Sequence, residues 1–131
     1  MRKRVIIADD TAYIRTLIRQ TLTGVGLTVV GEAETGEDAF NLFCQHRPDL
    51  TILNLIMPRV EGLETLKQIK KISPEAKVLI CSAMGQANII FKVIRGGASD
   101  FLAKPFHDKQ LLDAVGRTLG TPLRPVPMKE V

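Results

Sequence analysis

The sequence predicts an α/β fold, a doubly wound parallel sheet of five strands, each followed by a helix that covers one of its faces. Short, continuous apolar runs alternate with longer segments whose apolar residues recur at helical spacing. No hairpin signal joins one apolar run to the next, so we expect parallel strands connected by right-handed helical crossovers. The chain has 131 residues, 45% hydrophobic and 24% charged, which suits one soluble domain with a sizeable core.

The first strand and helix follow this pattern closely. Val5 to Ala8 is a continuous apolar run, as expected for a strand buried on both faces. Asp10-Thr11 then opens a helix, because either side chain can cap free backbone N–H groups, and Gly24 ends it. The residues of this helix that we expect to face the sheet are Ile14, Leu17, Ile18 and Leu22.

Four further strand and helix units are predicted from the same signals. The strands cover Leu27 to Ala33, Leu50 to Leu53, Lys77 to Cys81 and Ser99 to Ala103. The helices run from Thr35-Gly36 to Gln45, from beyond Gly62 to Ile72, from Ala87 to Arg95, and from a cap at Asp108 to Leu119. Their expected inward residues are Ala39, Phe40, Phe43 and Cys44, then Leu63, Leu66, Ile69 and Ile72, then Ile90, Val93 and Ile94.

The last residues have a different composition from the rest of the chain. Three prolines fall between residues 121 and 127, and proline cannot continue a helix. We therefore predict one domain over residues 1–119 and a proline-rich tail or linker over residues 120–131.

Composition argues against several classes of function. No apolar run is long enough for a membrane span, and the run after the basic start is too short for a signal peptide, so a cytoplasmic protein is expected. Cys44 and Cys81 both lie in apolar contexts and lack a metal-binding spacing, which predicts two buried free thiols. The net charge of +4 comes from scattered basic residues without interleaved aromatics, so direct nucleic-acid binding is not expected.

Polar residues follow four of the predicted strands, at the edge where functional groups gather in open parallel sheets. These residues are Asp9, Asp10, Asn54, Ser82 and Lys104. Taken singly, each has an ordinary explanation, such as a helix cap, a turn or a solvated charge. Together they bring two carboxylates, an amide, a hydroxyl and an ammonium to one edge, which suits a hard cation and a phosphoryl group. Carboxylates stand where a nucleotide-binding fold would have glycines, which disfavours a dinucleotide or flavin.

The sequence resembles the receiver domains of bacterial two-component response regulators, of the single-domain chemotaxis type, over residues 3–119. The matching features are Asp9-Asp10 after the first strand, the segment from Asp49 to Pro58 with Gly62 beyond it, Ser82-Ala83, and Lys104-Pro105-Phe106. The resemblance implies a flavodoxin-like sheet with strand order 2-1-3-4-5.

The resemblance also implies roles for the residues at this edge. Asp10 would bind Mg²⁺ directly, Asp9 would bind it through water, and the Ile56 carbonyl and the Asn54 side chain would be further ligands. Lys104, preceding a cis proline, would pair with the phosphoryl group, Ser82 would hydrogen-bond it, and Phe101 would rotate inward in response. Ile56 and Met84 would tune how fast the phosphate is lost.

Asn54 departs from the family pattern, because the family has the phosphate-accepting aspartate at this position. An amide is a poor nucleophile and a neutral ligand, so we expect no phosphoryl acceptance and weaker Mg²⁺ binding. Removing one of three clustered carboxylates should also stabilise the metal-free fold, since like charges repel.

Three interpretations of function remain open on the sequence. The chain is a phospho-switch whose acceptor has been replaced, or a natural pseudo-receiver that binds partners independently of phosphate, or, less favoured, an unrelated flavodoxin-like binder or enzyme. The first two imply a signalling module, not an enzyme. The implied partners are a histidine kinase and an output protein that binds through helix 4, strand 5 and helix 5, with Ile89 and Phe91 as candidate contacts. Ser82 is a weaker candidate for taking the phosphoryl group instead.

Overall fold

The computed structural model describes residues 2–57, 62–83 and 92–123, which contain a five-stranded parallel sheet. The strands are β1 (Arg4–Ala8), β2 (Thr28–Ala33), β3 (Leu50–Asn54), β4 (Val78–Ala83) and β5 (Asp100–Lys104). They lie in the order β2-β1-β3-β4-β5, and every neighbouring pair is parallel. The predicted fold class and strand order are confirmed, and the predicted strand ends are within two residues of the observed ones.

The helices of the described residues connect these strands. They are α1 (Ala12–Thr23), α2 (Gly36–His46), α3 (Gly62–Ile72), α4 (residues 92–95) and α5 (Asp108–Leu119). No helix in this part of the chain has the length and apolar character needed to cross a membrane.

The core has two halves, one on each face of the sheet, because successive side chains of a strand point to opposite faces. On β1, Val5 and Ile7 belong to the half that α1 and α5 cover, through residues such as Ile18. Ile6 and Ala8 belong to the other half, with Phe43 of α2 and the buried residues of α3. The doubly buried strands explain the continuous apolar runs of the sequence.

Two of the predicted helix caps differ from those in the structure. The Thr11 side chain makes no capping hydrogen bond at α1, although Thr11 is the N-cap residue. At α5 the N-cap is His107, not Asp108, and the Gln110 side chain accepts the His107 backbone N–H at 3.0 Å. Asp108 instead accepts a hydrogen bond from the Thr21 hydroxyl, at 3.2 Å, and so links α5 to α1. The helix predicted to begin at Thr35-Gly36 has Thr35 as its N-cap, and the Thr35 hydroxyl accepts a hydrogen bond from the Asp38 N–H at 3.1 Å.

Four residues predicted to face the core are exposed. These residues are Leu17, Cys44, Ile72 and Ile94. Leu17, Cys44 and Ile94 each adjoin a buried residue of their helix but lie beyond the edge of the stripe in contact with the sheet, and Ile72 is the last residue of α3. The prediction of a buried Cys44 was therefore wrong, whereas Cys81 on β4 is buried as predicted.

Residues 120–123 continue from α5 and lie against it. Gly120 adopts the left-handed conformation (φ 76°) that ends the helix, and the Thr121 N–H donates to the Gly116 carbonyl at 3.0 Å. Leu123 is partly buried against the core on the α1 and α5 face. The described contacts of this domain thus continue past residue 119.

Candidate functional site

The carboxyl ends of β1, β3, β4 and β5 bring the predicted polar residues together. In the strand register Ala8 lies beside Leu53, so Asp9 and Asn54 are the next residues at adjacent strand ends. Ser82 lies beside Ala103, and Lys104 follows beside Ala83. The Leu55 N–H donates to the Cys81 carbonyl at 2.8 Å, which extends the β3 and β4 pairing beyond Asn54.

Asp9 is the buried anion of this site, with 2% of its surface exposed. Its Oδ2 atom lies 2.6 Å from Lys104 Nζ, and its Oδ1 atom accepts the Thr11 backbone N–H at 2.8 Å. Both carboxylate oxygens therefore have donors, as burial of a charge requires. The Lys104–Pro105 peptide bond is cis, as the resemblance implied.

Arg15 is a neighbour of Asp9 that sequence reasoning missed. Its Nη1 atom donates to the Asp9 backbone carbonyl at 2.5 Å, and its Nε atom lies 3.5 Å from the Glu32 carboxylate on β2. Arg15 thus ties α1 to the loop that carries Asp9 and Asp10. Its spacing on α1 gave no sign of this contact, which depends on how the helix packs against β1 and β2.

The Asn54 side chain lies between two oxygen atoms. Its Nδ2 atom donates to the Ile56 backbone carbonyl at 2.8 Å and to Asp10 Oδ1 at 3.3 Å. Both partners are acceptors only, so the nitrogen and not the oxygen of the amide must face them. Asn54 is 8% exposed and Asp10 is exposed, so the pair links the buried edge of the site to its open side.

Ser82 and Phe101 lie on the β4 and β5 side of this edge. Ser82 is buried, with 2% of its surface exposed, and it interacts with neighbouring groups. Phe101 is partly buried and packs against the core half that includes Ile80 and Val93. Met84, Ile89 and Phe91 lie outside the described residues.

Cys81 is a second residue whose place in the site was missed. Burial raises the pKa of its thiol to about 12, while the Lys104 ammonium lowers the pKa and the Asp9 carboxylate raises it. These charges act on Cys81 because it immediately precedes Ser82 in β4, at the polar edge of the sheet. The thiol is therefore protonated and unreactive at neutral pH.

The chain matches the family model described as "Response regulator receiver domain" over residues 5–116. That range includes all five strands except the first residue of β1, and every residue of the site. The chain is a response regulator receiver domain. Receiver domains are signalling modules, and they generally bind Mg²⁺ in an acidic pocket.

Curated receiver proteins resemble this chain along nearly their full length. It is 40% identical to the chemotaxis protein CheY of Bacillus subtilis over 119 residues, which are 91% of this chain and 99% of that protein. It is 38% identical to CheY of Thermotoga maritima, over 89% of this chain and 98% of that one. These receivers have no room for a second domain beyond the matched region.

Solved receiver structures confirm the flavodoxin-like fold. The receiver domain of AraT, a response regulator from Geobacillus stearothermophilus, has a TM-score of 0.84 and 31% identity, covering 92% of this chain and 95% of that one. The receiver domain of NtrX from Brucella abortus has a TM-score of 0.84 and 31% identity, covering 89% and 98%.

The residues at this edge fit a receiver Mg²⁺ site only in part. The Asp10 carboxylate and the Ile56 carbonyl offer the oxygen atoms that a hard cation prefers, and they converge on one point. Asn54 directs an N–H donor toward that point, and a donor cannot bind a cation. No group of three or more His, Cys, Asp or Glu side chains suited to a metal occurs among the residues that the structure describes.

Proposed function

We propose that this chain is a two-component receiver domain that Asn54 fixes in its unphosphorylated form. The observation that carries the proposal is the position of Asn54 at the end of β3, beside an otherwise complete set of Asp9, Asp10, Ser82 and Lys104. A carboxylate there could attack a phosphoryl group, but the amide nitrogen donates to Asp10 and Ile56 and has no nucleophilic lone pair to offer.

The proposed site roles follow the resemblance. Lys104 would neutralise a phosphoryl group and Ser82 would hydrogen-bond it, while Asp9, Asp10 and the Ile56 carbonyl would hold Mg²⁺ more weakly than in a receiver with an acceptor aspartate. In this form Lys104 pairs with Asp9 instead, at 2.6 Å. When bound, Mg²⁺ would supply positive charge to the phosphoryl oxygens.

The proposed partners of this cytoplasmic protein are a histidine kinase and an output protein that binds the surface of α4, β5 and α5. Phe101 on β5 would be the switch residue between the site and that surface. Its partly buried ring packs against the half of the core that includes Val93 of α4, so a movement of the ring would be felt by the core beneath α4.

A second candidate is a natural pseudo-receiver that binds its output partner independently of phosphate. The observation that favours it is the integration of Asn54 into the site through two hydrogen bonds, which leaves the amide with defined partners. Both candidates predict an unphosphorylated parent protein. They differ in whether the domain still switches when an aspartate is restored.

The test is phosphorylation by acetyl phosphate and Mg²⁺ of the parent, of Asn54→Asp and of Asn54→Asp/Lys104→Met, followed by intact mass and by the chemical shifts of Phe101. We expect only Asn54→Asp to gain a phosphoryl group and to shift the Phe101 resonances. A parent that gains a phosphoryl group would contradict the proposal, and comparison with Ser82→Ala would then reveal whether Ser82 is the acceptor. If neither the parent nor Asn54→Asp responds, the pseudo-receiver is the correct interpretation.

A further inference from the structure

The Asn54 amide nitrogen occupies the point on which two oxygen atoms of the site converge. It lies 2.8 Å from the Ile56 carbonyl oxygen and 3.3 Å from Asp10 Oδ1. A carboxylate and a backbone carbonyl that meet at one point repel each other unless a positive charge or a donor lies between them. In this structure the donor is the partly positive NH₂ group of Asn54.

We propose that Asn54 serves as an internal substitute for the divalent cation, and that it opposes metal binding at this site instead of providing a ligand. The inference rests on the proposed function in assigning Mg²⁺ to Asp9, Asp10 and Ile56. The sequence suggested that Asn54 is a metal ligand made weak by its neutral oxygen. On this proposal Asn54 is not a ligand, and its NH₂ group weakens Mg²⁺ binding by occupying the position of the cation.

The alternative orientation of the amide explains why the two roles exclude each other. To coordinate a cation, Asn54 must turn its oxygen toward Asp10 and Ile56, which breaks both hydrogen bonds. Without a cation, that orientation would place three oxygen atoms around one point. Asn54 is 8% exposed and both hydrogen bonds are partly buried, so water replaces the lost donors only in part. Without a metal, the Asp10 carboxylate and the Ile56 carbonyl therefore already have a hydrogen-bond donor, and a cation must displace the Asn54 NH₂ group before it can bind.

Removing the side chain distinguishes a displaced donor from a ligand. Asn54→Ala deletes both the NH₂ group that occupies the position and the oxygen that could coordinate the cation. If Asn54 opposes the metal, Asn54→Ala binds Mg²⁺ more tightly than the parent, because Asp10 and Ile56 are then without a donor. If the Asn54 oxygen is a ligand, the same variant binds Mg²⁺ more weakly.

The experiment is calorimetric titration of Mg²⁺, and separately Mn²⁺, into the parent, Asn54→Ala and Asn54→Asp, without phosphate. We expect Asn54→Ala to bind about tenfold more tightly than the parent, the equivalent of about one lost hydrogen bond. Asn54→Asp should bind more tightly still. Asn41→Ala, which removes an exposed amide on α2, is the control and should leave the affinity unchanged. Equal or weaker binding by Asn54→Ala would overturn the proposal.

A second measurement needs no variant of the site. In the parent, the side-chain NH₂ resonances of Asn54 should keep their positions at Mg²⁺ concentrations that saturate Asn54→Asp. If they move at those concentrations, the amide turns readily and does not oppose the cation. Uptake of a phosphoryl group by the parent would sink the proposed function and leave this result standing, so the two failures are distinguishable.

Discussion

The ion pair between Asp9 and Lys104 joins residues at the ends of β1 and β5. Two strands, β3 and β4, lie between them, so the pair spans three strand spacings, about 14 Å between strand axes. Asp9 is buried while the Lys104 side chain is 22% exposed. The carboxylate therefore depends on this partner more than the ammonium does.

We predict that Lys104→Met destabilises the fold by about 2 to 3 kcal/mol, because it leaves a buried carboxylate without its ammonium. Asp9→Asn/Lys104→Met removes both charges and should recover most of that loss. Urea unfolding of the parent, both single variants and the double variant completes the cycle. Losses that simply add would mean that the two charges do not interact.

The buried Cys81 thiol should make the stability of the fold depend on pH. Burial holds its thiol pKa at about 12 in the folded protein, above its ordinary value of 9.0. The folded state thus keeps a proton that the unfolded state releases as the pH rises above 9.0, so this contribution to stability is complete below that pH and is lost between there and about 12.

The free energy of unfolding of the parent should therefore fall more steeply above pH 9.0 than that of Cys81→Ala. The difference in slope should approach about 1.4 kcal/mol per pH unit, the value for one proton. As a further check at neutral pH, a thiol reagent should modify exposed Cys44 at once and Cys81 only through unfolding. Parallel slopes for the two proteins would contradict the prediction.

At the residue scale, the sequence was sufficient to bring the polar side chains to one edge but not to orient them. Asp9 follows β1, and the last two residues of β3, β4 and β5 include Asn54, Ser82 and Lys104. The carboxyl ends of parallel strands lie at one edge of the sheet. The direction of the Asn54 amide depends on the Ile56 carbonyl, whose position is set by the loop after β3 and has no side-chain signature.

The sequence correctly predicted which residues are buried at the centre of each helix face but not which residues are buried at its edges. Ile18, Phe43 and Ile69 are buried as their spacing required, while Leu17 and Ile72 are apolar residues that remain 38% and 40% exposed. A helix against a flat sheet buries a narrow stripe, and hydrophobic identity alone does not tell a stripe residue from its neighbour. The prediction that Asp108 caps α5 was wrong because of a tertiary contact: Asp108 accepts a hydrogen bond from Thr21 of α1, and His107 is the N-cap residue.

Gly62, the first residue of α3, lies against the end of β3 and sets the spacing between the two elements. A Cβ atom there would collide with the Asn54 carbonyl oxygen and would lie 2.7 Å from the Leu55 Cα atom and 2.8 Å from its oxygen. The Gly62 N–H also donates to the Leu55 carbonyl, at 2.7 Å. The glycine therefore allows a close approach of α3 to the backbone that carries Asn54.

We predict that Gly62→Ala lowers the stability by about 1 to 3 kcal/mol, the usual effect of overpacking, and displaces the end of β3. Gly24→Ala is the matched control, because Gly24 has a helical backbone (φ −64°) and an added Cβ would approach no atom closer than 3.3 Å. Urea unfolding and backbone chemical shifts of Asn54 measure the two effects. Equal stability of the two variants would count against the close-approach role.

On the scale of the whole molecule, the domain boundary predicted at residue 119 remains a prediction. Leu123 packs against the core that α5 and α1 share, and the Thr121 N–H caps α5. An exposed proline, Pro122, lies between them. These contacts favour a folded unit that includes residues 120–123.

We expect Leu123→Ala to cost about 1 kcal/mol of stability, because the side chain is partly buried. Pro122→Ala should change the stability much less. Thermal or urea unfolding of the full chain compares them directly. A neutral Leu123→Ala would support a stable domain that ends at Leu119, as the sequence suggested.

The hydrogen bond from the Leu55 N–H to the Cys81 carbonyl also affects the rate at which Asn54 can deamidate. Asparagine loses ammonia when the backbone nitrogen of the following residue attacks its side-chain carbon and closes a five-membered ring. Here that nitrogen is engaged at 2.8 Å in the sheet, and Leu55 is buried. The folded chain therefore resists slow conversion of Asn54 to aspartate. On the proposed function, a chain made with Asn54 therefore remains unable to accept a phosphoryl group for as long as it stays folded.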